Sequence, residues 1–181
     1  MDCGSALAEA EVEYQDKKSI AIDVKFTFSD TAALLAAFAT DASAVSALSN
    51  KTASMVIWTT TPWTLPANEA VSVHPELEYS LVHINTESEQ DEILVLATAL
   101  VEDAMGRYGI TDYSVIANAN GAAFGQLPEQ DSAPFSVNHP FMPADNGAGL
   151  KQVPVITGTH VTADAGTGSV HTAPMHGADD Y

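Results

Sequence analysis

The sequence predicts an α+β fold in which a β-barrel or sandwich core carries a few peripheral helices. Short segments that alternate apolar and polar residues, rich in β-branched side chains, recur along the chain between acidic or Gly/Asn/Pro residues, which is the pattern of half-buried strands. These segments outnumber those with a helical pattern. Many short strands in a chain of this size favour a barrel or sandwich over a doubly wound sheet.

The first elements are a strand and a helix. Ser19–Phe28 reads SIAIDVKFTF and predicts a strand by its alternation. Ser29 and Asp30 can cap the Ala- and Leu-rich segment Thr31–Ala39, where no Gly or Pro interrupts a short helix. Asp41–Asn50 consists mostly of small residues and indicates either a second helical turn or a mobile surface loop.

Further strands and one helix follow. The β-branched and aromatic run Met55–Thr61 predicts a strand that Pro62 ends. Thr98–Tyr108 predicts an amphipathic helix that stops at Gly109, and the acidic stretch Glu87–Glu92 predicts a solvated hairpin tip. The remaining predicted strands are Tyr79–Ile84, Ile93–Ala97, Tyr113–Ala117 and Val153–Ile156.

Composition predicts one soluble domain over residues 1–181, large enough to bury a core without a disulfide or a metal. The single cysteine, Cys3, excludes an internal disulfide and a cysteine-rich zinc site, and fits a reducing cytosol. No run reaches the roughly 18 apolar residues that span a bilayer, and the N-terminus lacks a signal-peptide pattern. The formal net charge of -18 repels phosphate backbones, so we expect weak binding of nucleic acid by this domain alone.

Two segments hold more polar, reactive side chains than a structural role requires: Trp58–Asn68, WTTTPWTLPAN, and Gly166–Tyr181, GTGSVHTAPMHGADDY. Strand alternation would place Thr59 and Thr61 on one face and Thr60 on the other. Their hydroxyls can hold a water or a ribose, although a threonine run can also reflect simple β-propensity.

The second segment brings His171 near Asp179 and Asp180, which indicates a hydrolytic or metal site. His171, His176 and Asp180 match no standard metal spacing such as HExxH, so no metal is expected. Ser169 and His171 would share one face of a strand, but no GxSxG elbow surrounds the serine. The string GTGSVH lacks the third glycine of a dinucleotide fingerprint, so no cofactor is expected.

The string TTTPWTLPAN at Thr59–Asn68, followed by VSVHPELEYSLV, resembles the threonine-rich signature of the CP1 editing domain inserted in bacterial-type isoleucyl-tRNA synthetases. The likeness continues through GTGSVHTAP and HGADDY, and through DCGSALAEAEVEY near the start. It therefore spans nearly the whole chain. Related valyl enzymes tend to have Arg-Pro-Glu where this chain has Thr61–Trp63, which favours the isoleucyl family.

This resemblance implies a β-barrel-cored editing domain that hydrolyses the ester of valyl-tRNA(Ile), with valyl-adenylate as a candidate second substrate. By position, Thr59, Thr60 and Thr61 line the pocket for the terminal adenosine, the aminoacyl group and the attacking water. Trp58 forms part of the pocket wall. Asn68 is counted among the substrate-binding residues because it supports the loop that carries the threonines.

His171 matches the family histidine that limits side-chain size, and Asp180 matches the residue that holds the α-ammonium. Because a carboxylate pairs with the ammonium of every aminoacyl ester, the imidazole has to read the side chain. In this enzyme family one methylene group is known to change the binding free energy by only about 1–3 kcal/mol, roughly a 150-fold preference for isoleucine over valine. A second, hydrolytic selection step is therefore required. We expect activated water and no covalent intermediate.

The resemblance also implies partners. The chain lacks the HIGH and KMSKS motifs of amino-acid activation, so we expect a fragment that cannot aminoacylate and that works in the cytoplasm with the rest of a parent synthetase and the aminoacylated 3′ end of tRNA(Ile). The fragment alone should be a monomer. Two alternatives stay open: a module that binds aminoacyl-adenosine but is inactive outside its parent, and an editing domain for another branched amino acid, which the context of Trp63 and Asn68 disfavours.

Overall fold

The computed structural model describes residues 20–85, 91–125, 135–145, 147–174 and 176. In these residues the strands are β1 Ile22–Phe28, β2 Thr52–Thr59, β3 Ala70–Val73, β4 Glu78–Ile84, β5 Glu92–Ala97, β6 Tyr113–Asn120, β7 Ser136–Pro143, β8 Leu150–Thr157 and β9 Ser169–Thr172. The helices are α1 Thr31–Ala37, α2 Ala42–Leu48 and α3 Val101–Tyr108, with short 3-10 helices at Pro62–Ala67, Thr98–Leu100 and Gly121–Ala123.

The described strands form one mixed sheet in the order β6-β4-β5-β2-β1-β7-β8-β3-β9. Neighbours are antiparallel except for the parallel pairs β2–β5 and β3–β8. Hydrogen bonding does not close the sheet in the described residues, because β6 and β9 are its edges. The edge strand β9 nevertheless approaches the interior strand β2 across the core, where Ser169 Oγ of β9 lies 3.0 Å from Met55 Sδ of β2. The α+β class with few helices is confirmed, and the predicted barrel is a barrel-like, curled open sheet.

Both faces of the central strands are buried, and this accounts for the near-continuous apolar runs in β4 and β5. Leu81 and Val95 belong to the main core, whereas the neighbouring residues Val82 and Leu94 belong to a second cluster. Helix α3 covers that second cluster with Val101, Ala104 and Met105. The amphipathic helix predicted from the sequence therefore closes one face of the sheet.

The predicted helices and their end signals are confirmed, although α1 ends at Ala37 and Thr98–Leu100 forms a 3-10 helix before α3. Asp30 caps α1 by accepting a 2.9 Å bond from the Ala33 backbone N–H, an interaction worth about 1 kcal/mol. The ambiguous segment Asp41–Asn50 contains helix α2, capped in the same way by Asp41. Gly109 ends α3 with φ of +68°, the left-handed conformation that glycine adopts without strain.

The strand predictions need two corrections. Strand β2 ends at Thr59, not at Thr61, because the chain turns there into the 3-10 helix that begins at Pro62. Strands β3 and β7 were not predicted: β3 has four residues, and β7 contains two prolines, Pro140 and Pro143, which are unusual in strands. Glu92 opens β5, which pairs with β4 as a hairpin, whereas residues 87–90 of the predicted tip lie outside the described residues.

Among the residues described, no helix has the length and apolarity to cross a membrane.

Candidate active site

A pocket of about 330 Å³, the first pocket, opens where β2 ends beside β9. It brings together the two polar segments that the sequence singled out, although they lie more than a hundred residues apart. Its lining consists of Trp58, Thr59, Thr60, Thr61, Thr64, Val170, His171, Ala173 and His176. Strand β9 reaches this place through its antiparallel pairing with β3, in which His171 lies opposite Val71.

Thr59, Thr61 and Thr64 form one side of this pocket, the hydroxyl wall. The Thr61 backbone N–H donates to Thr59 Oγ1 at 3.1 Å, and Thr64 Oγ1 donates to the Thr61 carbonyl at 2.8 Å. Strand alternation had predicted Thr60 on the opposite face, but all three consecutive threonines line the pocket. The reason is that the strand ends at Thr59, so the alternation of side chains stops before Thr60.

His171 joins the opposite side of the pocket to the hydroxyl wall. Its Nε2 lies 3.0 Å from Thr64 Oγ1, and the ring is 8% exposed. Thr64 Oγ1 lies within hydrogen-bond distance of both the Thr61 carbonyl and the imidazole. These contacts fix the orientation of the His171 ring, whichever of its nitrogens carries the proton.

A second pocket of about 190 Å³ adjoins the first, and Trp58 and Val170 line both. Its other lining residues are His160, Thr162, Asp164, Ala165, Thr167, Gly168 and Ser169. The Thr167 side chain is buried, and its Oγ1 has no hydrogen-bond partner within the described part of the chain. The indole of Trp58 is thus a partition between two polar cavities.

Residues 166–168, the glycine loop, lie beside Trp58: Gly166 packs against the Trp58 side chain, and Thr167 and Gly168 line the second pocket. Gly166 and Gly168 have φ of +79° and +75°, values that L side chains rarely adopt. Three separate elements hold the three carbonyl oxygens of the loop. The donors are Arg107 Nη2 to Gly166 at 3.1 Å, the Ala97 backbone N–H to Thr167 at 3.0 Å, and Tyr79 Oη to Gly168 at 2.7 Å.

The donor beneath Gly168 is a fully buried phenol. Burial raises the pKa of Tyr79 to about 12, opposed by the hydrogen bond that its oxygen accepts from the His74 backbone N–H. The hydroxyl therefore keeps its proton at neutral pH and serves as a permanent donor to the loop.

Asn68 lies behind the pocket instead of in its lining. It is completely buried, and its Nδ2 donates to the carbonyls of Ala70 at 2.8 Å and Thr172 at 3.4 Å. The backbone carbonyl of Asn68 in turn accepts a 2.9 Å bond from Lys151 Nζ. These bonds tie the end of the threonine turn, residues 59–68, to β3 and β9, so the geometry gives Asn68 a supporting position.

The structure brings Trp58, the three threonines and His171 together, and adds residues that sequence reasoning missed. Thr64 could have been found from its position three residues after Thr61 in a proline-initiated turn, where a hydroxyl can reach back to a carbonyl. The sequence suggested His176 only as a candidate metal ligand, whereas the residue lines the first pocket. Asp180 lies outside the described residues, as does Asp179.

The positively charged side chains of the described residues are paired with carboxylates. Within the described ranges, the cations all form ion pairs: Lys25–Glu92, Lys51–Asp91, Arg107–Asp23 and Lys151–Glu69. Among the same residues, no cluster of three or more His, Cys, Asp or Glu side chains is arranged to hold a metal ion. The recognition groups that line the two pockets are therefore hydroxyls, imidazoles, one indole and the carboxylate of Asp164.

Comparison with known proteins agrees with this picture at the level of sequence. No protein-family model matches the chain. It is 52% identical over 182 aligned positions to the isoleucine–tRNA ligase of Thioalkalivibrio sulfidiphilus (strain HL-EbGR7), covering 100% of this chain and 17% of that ligase. The ligase of Shewanella baltica (strain OS185) is 52% identical over 180 residues, again covering 17% of the ligase. The chain thus spans about a sixth of the length of these relatives.

Solved structures agree at the level of fold. The P. knowlesi cytosolic leucyl-tRNA synthetase editing domain superposes with a TM-score of 0.69 at 13% identity, covering 91% of this chain and 60% of that one. GlLeuRS-CP1 gives a TM-score of 0.61 at 20% identity, covering 90% and 56%. The chain is thus similar in sequence, along its whole length, to one segment of isoleucine–tRNA ligases, and its fold is that of the leucyl-tRNA synthetase editing domains.

Proposed function

We propose that this domain carries out post-transfer editing, hydrolysing the ester of valine misattached to tRNA(Ile). The observation that carries the proposal is the first pocket, in which the threonine turn and His171 meet although Thr64 and His171 lie 107 residues apart along the chain. The match to isoleucine–tRNA ligases along the entire chain supports the choice of amino acid.

The chemistry required is modest, because an aminoacyl ester is already reactive toward water. Hydroxyls of Thr59, Thr60 and Thr61 line the cavity and can orient a water and the ribose by donating and accepting hydrogen bonds. The ring of His171 is held through Thr64, so it can act as a fixed steric stop for the substrate side chain. In this proposal the pocket admits valine and excludes isoleucine by contact.

Asp180 completes the proposed site as the anchor for the α-ammonium. It stands nine positions after His171 and four after His176, and both histidines line the first pocket. A carboxylate placed there would hold any aminoacyl ester by a charge-assisted hydrogen bond. Selection between amino acids would then fall to the side-chain end of the cavity.

The second pocket gives the substrate room to continue. An aminoacyl group in the first pocket would extend past Trp58 towards Thr167, whose buried hydroxyl is without a partner in the described chain. Aromatic faces such as that of Trp58 can stack on a base. We propose that the terminal adenosine of the tRNA, or the adenosine of valyl-adenylate, uses this side of the partition.

Delivery of the tRNA is proposed to depend on the rest of the parent synthetase in the cytoplasm. The net charge is -18, and the described cations are paired with carboxylates, whereas affinity for a phosphate backbone needs cations that can replace its counterions. This observation favours a second candidate, a module that binds aminoacyl-adenosine but turns over only inside its parent.

Deacylation of Val-tRNA(Ile) and Ile-tRNA(Ile) by the purified 181-residue chain tests the proposal. We expect faster loss of valine, abolished in Asp180→Ala. The exposed Asp145→Ala variant, which makes the same charge change away from the pockets, should hydrolyse like the parent. His171→Ala should release isoleucine too, reducing the valine preference by up to roughly 100-fold.

The outcomes separate the two candidates. Selective hydrolysis that depends on Asp180 supports an autonomous editing enzyme. Binding of a non-hydrolysable valyl-adenosine analogue without turnover supports the module that needs its parent. If the chain shows neither hydrolysis nor binding, the assignment of the site is wrong.

A further inference from the structure

We infer that Arg107, which lines neither pocket, is a positioning residue that holds Trp58 in place through the glycine loop. Arg107 lies in the last turn of α3 and is the only arginine of the chain. Its Nη2 donates to the Gly166 carbonyl at 3.1 Å and lies 3.2 Å from Asp23 Oδ1. For its catalytic consequence the inference rests on the proposed function.

Both hydrogen-bonding partners of Arg107 lie next to Trp58, which separates the two pockets. Asp23 on β1 lies directly opposite Trp58 on β2 in the antiparallel register. Gly166 lies against the indole itself: a Cβ on this residue would be 2.9 Å from Trp58 Cβ and 3.1 Å from its Cγ. One guanidinium therefore connects the strand beside Trp58 to the loop that packs on it.

Gly166 packs so closely against Trp58 that a movement of the glycine loop cannot be absorbed between them. Gly166 has φ of +79°, and the space above it is filled by Trp58, so a displaced carbonyl must move the surface on which the indole rests. Because Trp58 lines both pockets, its movement changes the shape of both. Close packing transmits small displacements of this kind between neighbouring groups.

Stability alone does not account for this arrangement. The Arg107 side chain is 39% exposed, and an ion pair at that exposure contributes little to folding. The Arg107 Nη2 donates to a carboxylate and a carbonyl together, and the planar, rigid guanidinium fixes the direction of these bonds better than a freely rotating lysine ammonium. The geometry suits an orienting role, in which a wall is held by a supporting hydrogen bond.

Tryptophan fluorescence provides a test that needs no enzymatic activity. The chain has two tryptophans, and Trp63 is 70% exposed, so a Trp63→Phe background leaves Trp58 as the only indole. In that background we compare Arg107→Met, which keeps the aliphatic stem without donors, with Arg107→Lys. The matched control is Lys25→Gln, which breaks the ion pair with Glu92 on the same sheet but does not touch the glycine loop.

Arg107→Met should shift the Trp58 emission to longer wavelength and increase its quenching by acrylamide, with Arg107→Lys restoring part of the difference. Lys25→Gln should match the background. For Val-tRNA(Ile) hydrolysis we expect Arg107→Met to lower kcat/KM by roughly 10- to 100-fold, the scale of loss expected when a pocket wall is misplaced by about 1 Å.

Unchanged emission and quenching in a folded Arg107→Met variant would overturn the inference, whatever the hydrolysis assay shows. A shifted Trp58 signal in a chain that hydrolyses no ester would support the positioning role and count against the proposed function instead. If circular dichroism shows that Arg107→Met does not fold, Arg107→Gln takes its place with the same readout, since its shorter amide cannot reach both acceptors.

Discussion

The hydroxyl wall and the glycine loop face the same tryptophan but are built in opposite ways. In the hydroxyl wall, the bonds among Thr59, Thr61 and Thr64 span two or three residues. In the glycine loop, the donors Arg107 and Tyr79 lie 59 and 89 residues away from the carbonyls they hold. One wall is a local turn, and the other exists only after the sheet has assembled.

This difference teaches where each wall is vulnerable. The hydroxyl wall should survive changes elsewhere, because Pro62 begins its 3-10 helix and the threonines bond to one another. The glycine loop should respond to any displacement of β4, β5 or α3, which supply its donors. Substitutions in the two walls can therefore test the comparison, from the largest expected effect to the smallest.

The largest effect is expected at Gly168. A Cβ there would lie 2.3 Å from the Cβ of Ala97, in a residue whose φ is +75°. Adding strain at positive φ, roughly 1–2 kcal/mol, to overpacking of typically about 1–3 kcal/mol, Gly168→Ala should lower the free energy of unfolding by about 2–5 kcal/mol. Urea unfolding measures the loss.

Gly109→Ala is the matched control for this change. Gly109 also has positive φ, +68°, but a Cβ added there would have no atom within 4 Å in the described part of the chain, so only the backbone strain of roughly 1–2 kcal/mol should appear. Equal losses in the two variants would show that the close approach of Gly168 to β5 does not matter.

Tyr79→Phe should have the next largest effect. It removes the donor to Gly168 and the acceptor for the His74 backbone N–H, leaving one buried and one partly buried backbone group without this partner. The cost should be about 1–3 kcal/mol at neutral pH, with weaker hydrolysis because the loop beside Trp58 is less well held. Tyr113→Phe, on a less buried tyrosine, should leave stability nearly unchanged.

The same phenol predicts a pH dependence. Burial raises the folded-state pKa of Tyr79 to about 12, whereas an unfolded tyrosine titrates near roughly 10. Its contribution to stability is therefore complete below about pH 10 and is lost as the pH rises from about 10 to 12. Burial also raises the pKa of Tyr108, and the charge of Asp23 reinforces this shift. In Tyr79→Phe the free energy of unfolding should therefore fall less steeply with rising pH, but it should still fall. A slope identical to the parent's would contradict the assignment.

The smallest effect on stability is expected in the hydroxyl wall. Thr64→Val removes the bonds to the Thr61 carbonyl and to His171 Nε2, which should cost about 1 kcal/mol and release the imidazole from its fixed orientation. The valine preference in deacylation should fall, and Thr64→Ser should restore it. In the Trp63→Phe background the Trp58 emission should not change, and a large shift would mean that the two walls are not independent.

What could be predicted from the sequence follows the same division. The helices α1 and α3 were predicted from caps and a terminal glycine, which are interactions within a few residues. The threonine turn and His171 were recognised because they stand in short, distinctive strings. Strand β7 was missed because its prolines disguise a pairing with β1 and β8 that only the sheet reveals.

By itself, the sequence determined the α+β class, the local geometry of the helix ends, and most of the polar residues that line the first pocket. The tertiary structure decided that β9 lies beside β2, that Thr60 joins its neighbours in the pocket, and that Arg107 and Tyr79 hold the glycine loop. The physical reason is range: caps and turns are set by bonds between near neighbours, whereas a pocket wall held across 59 or 89 residues depends on the register of every strand between them.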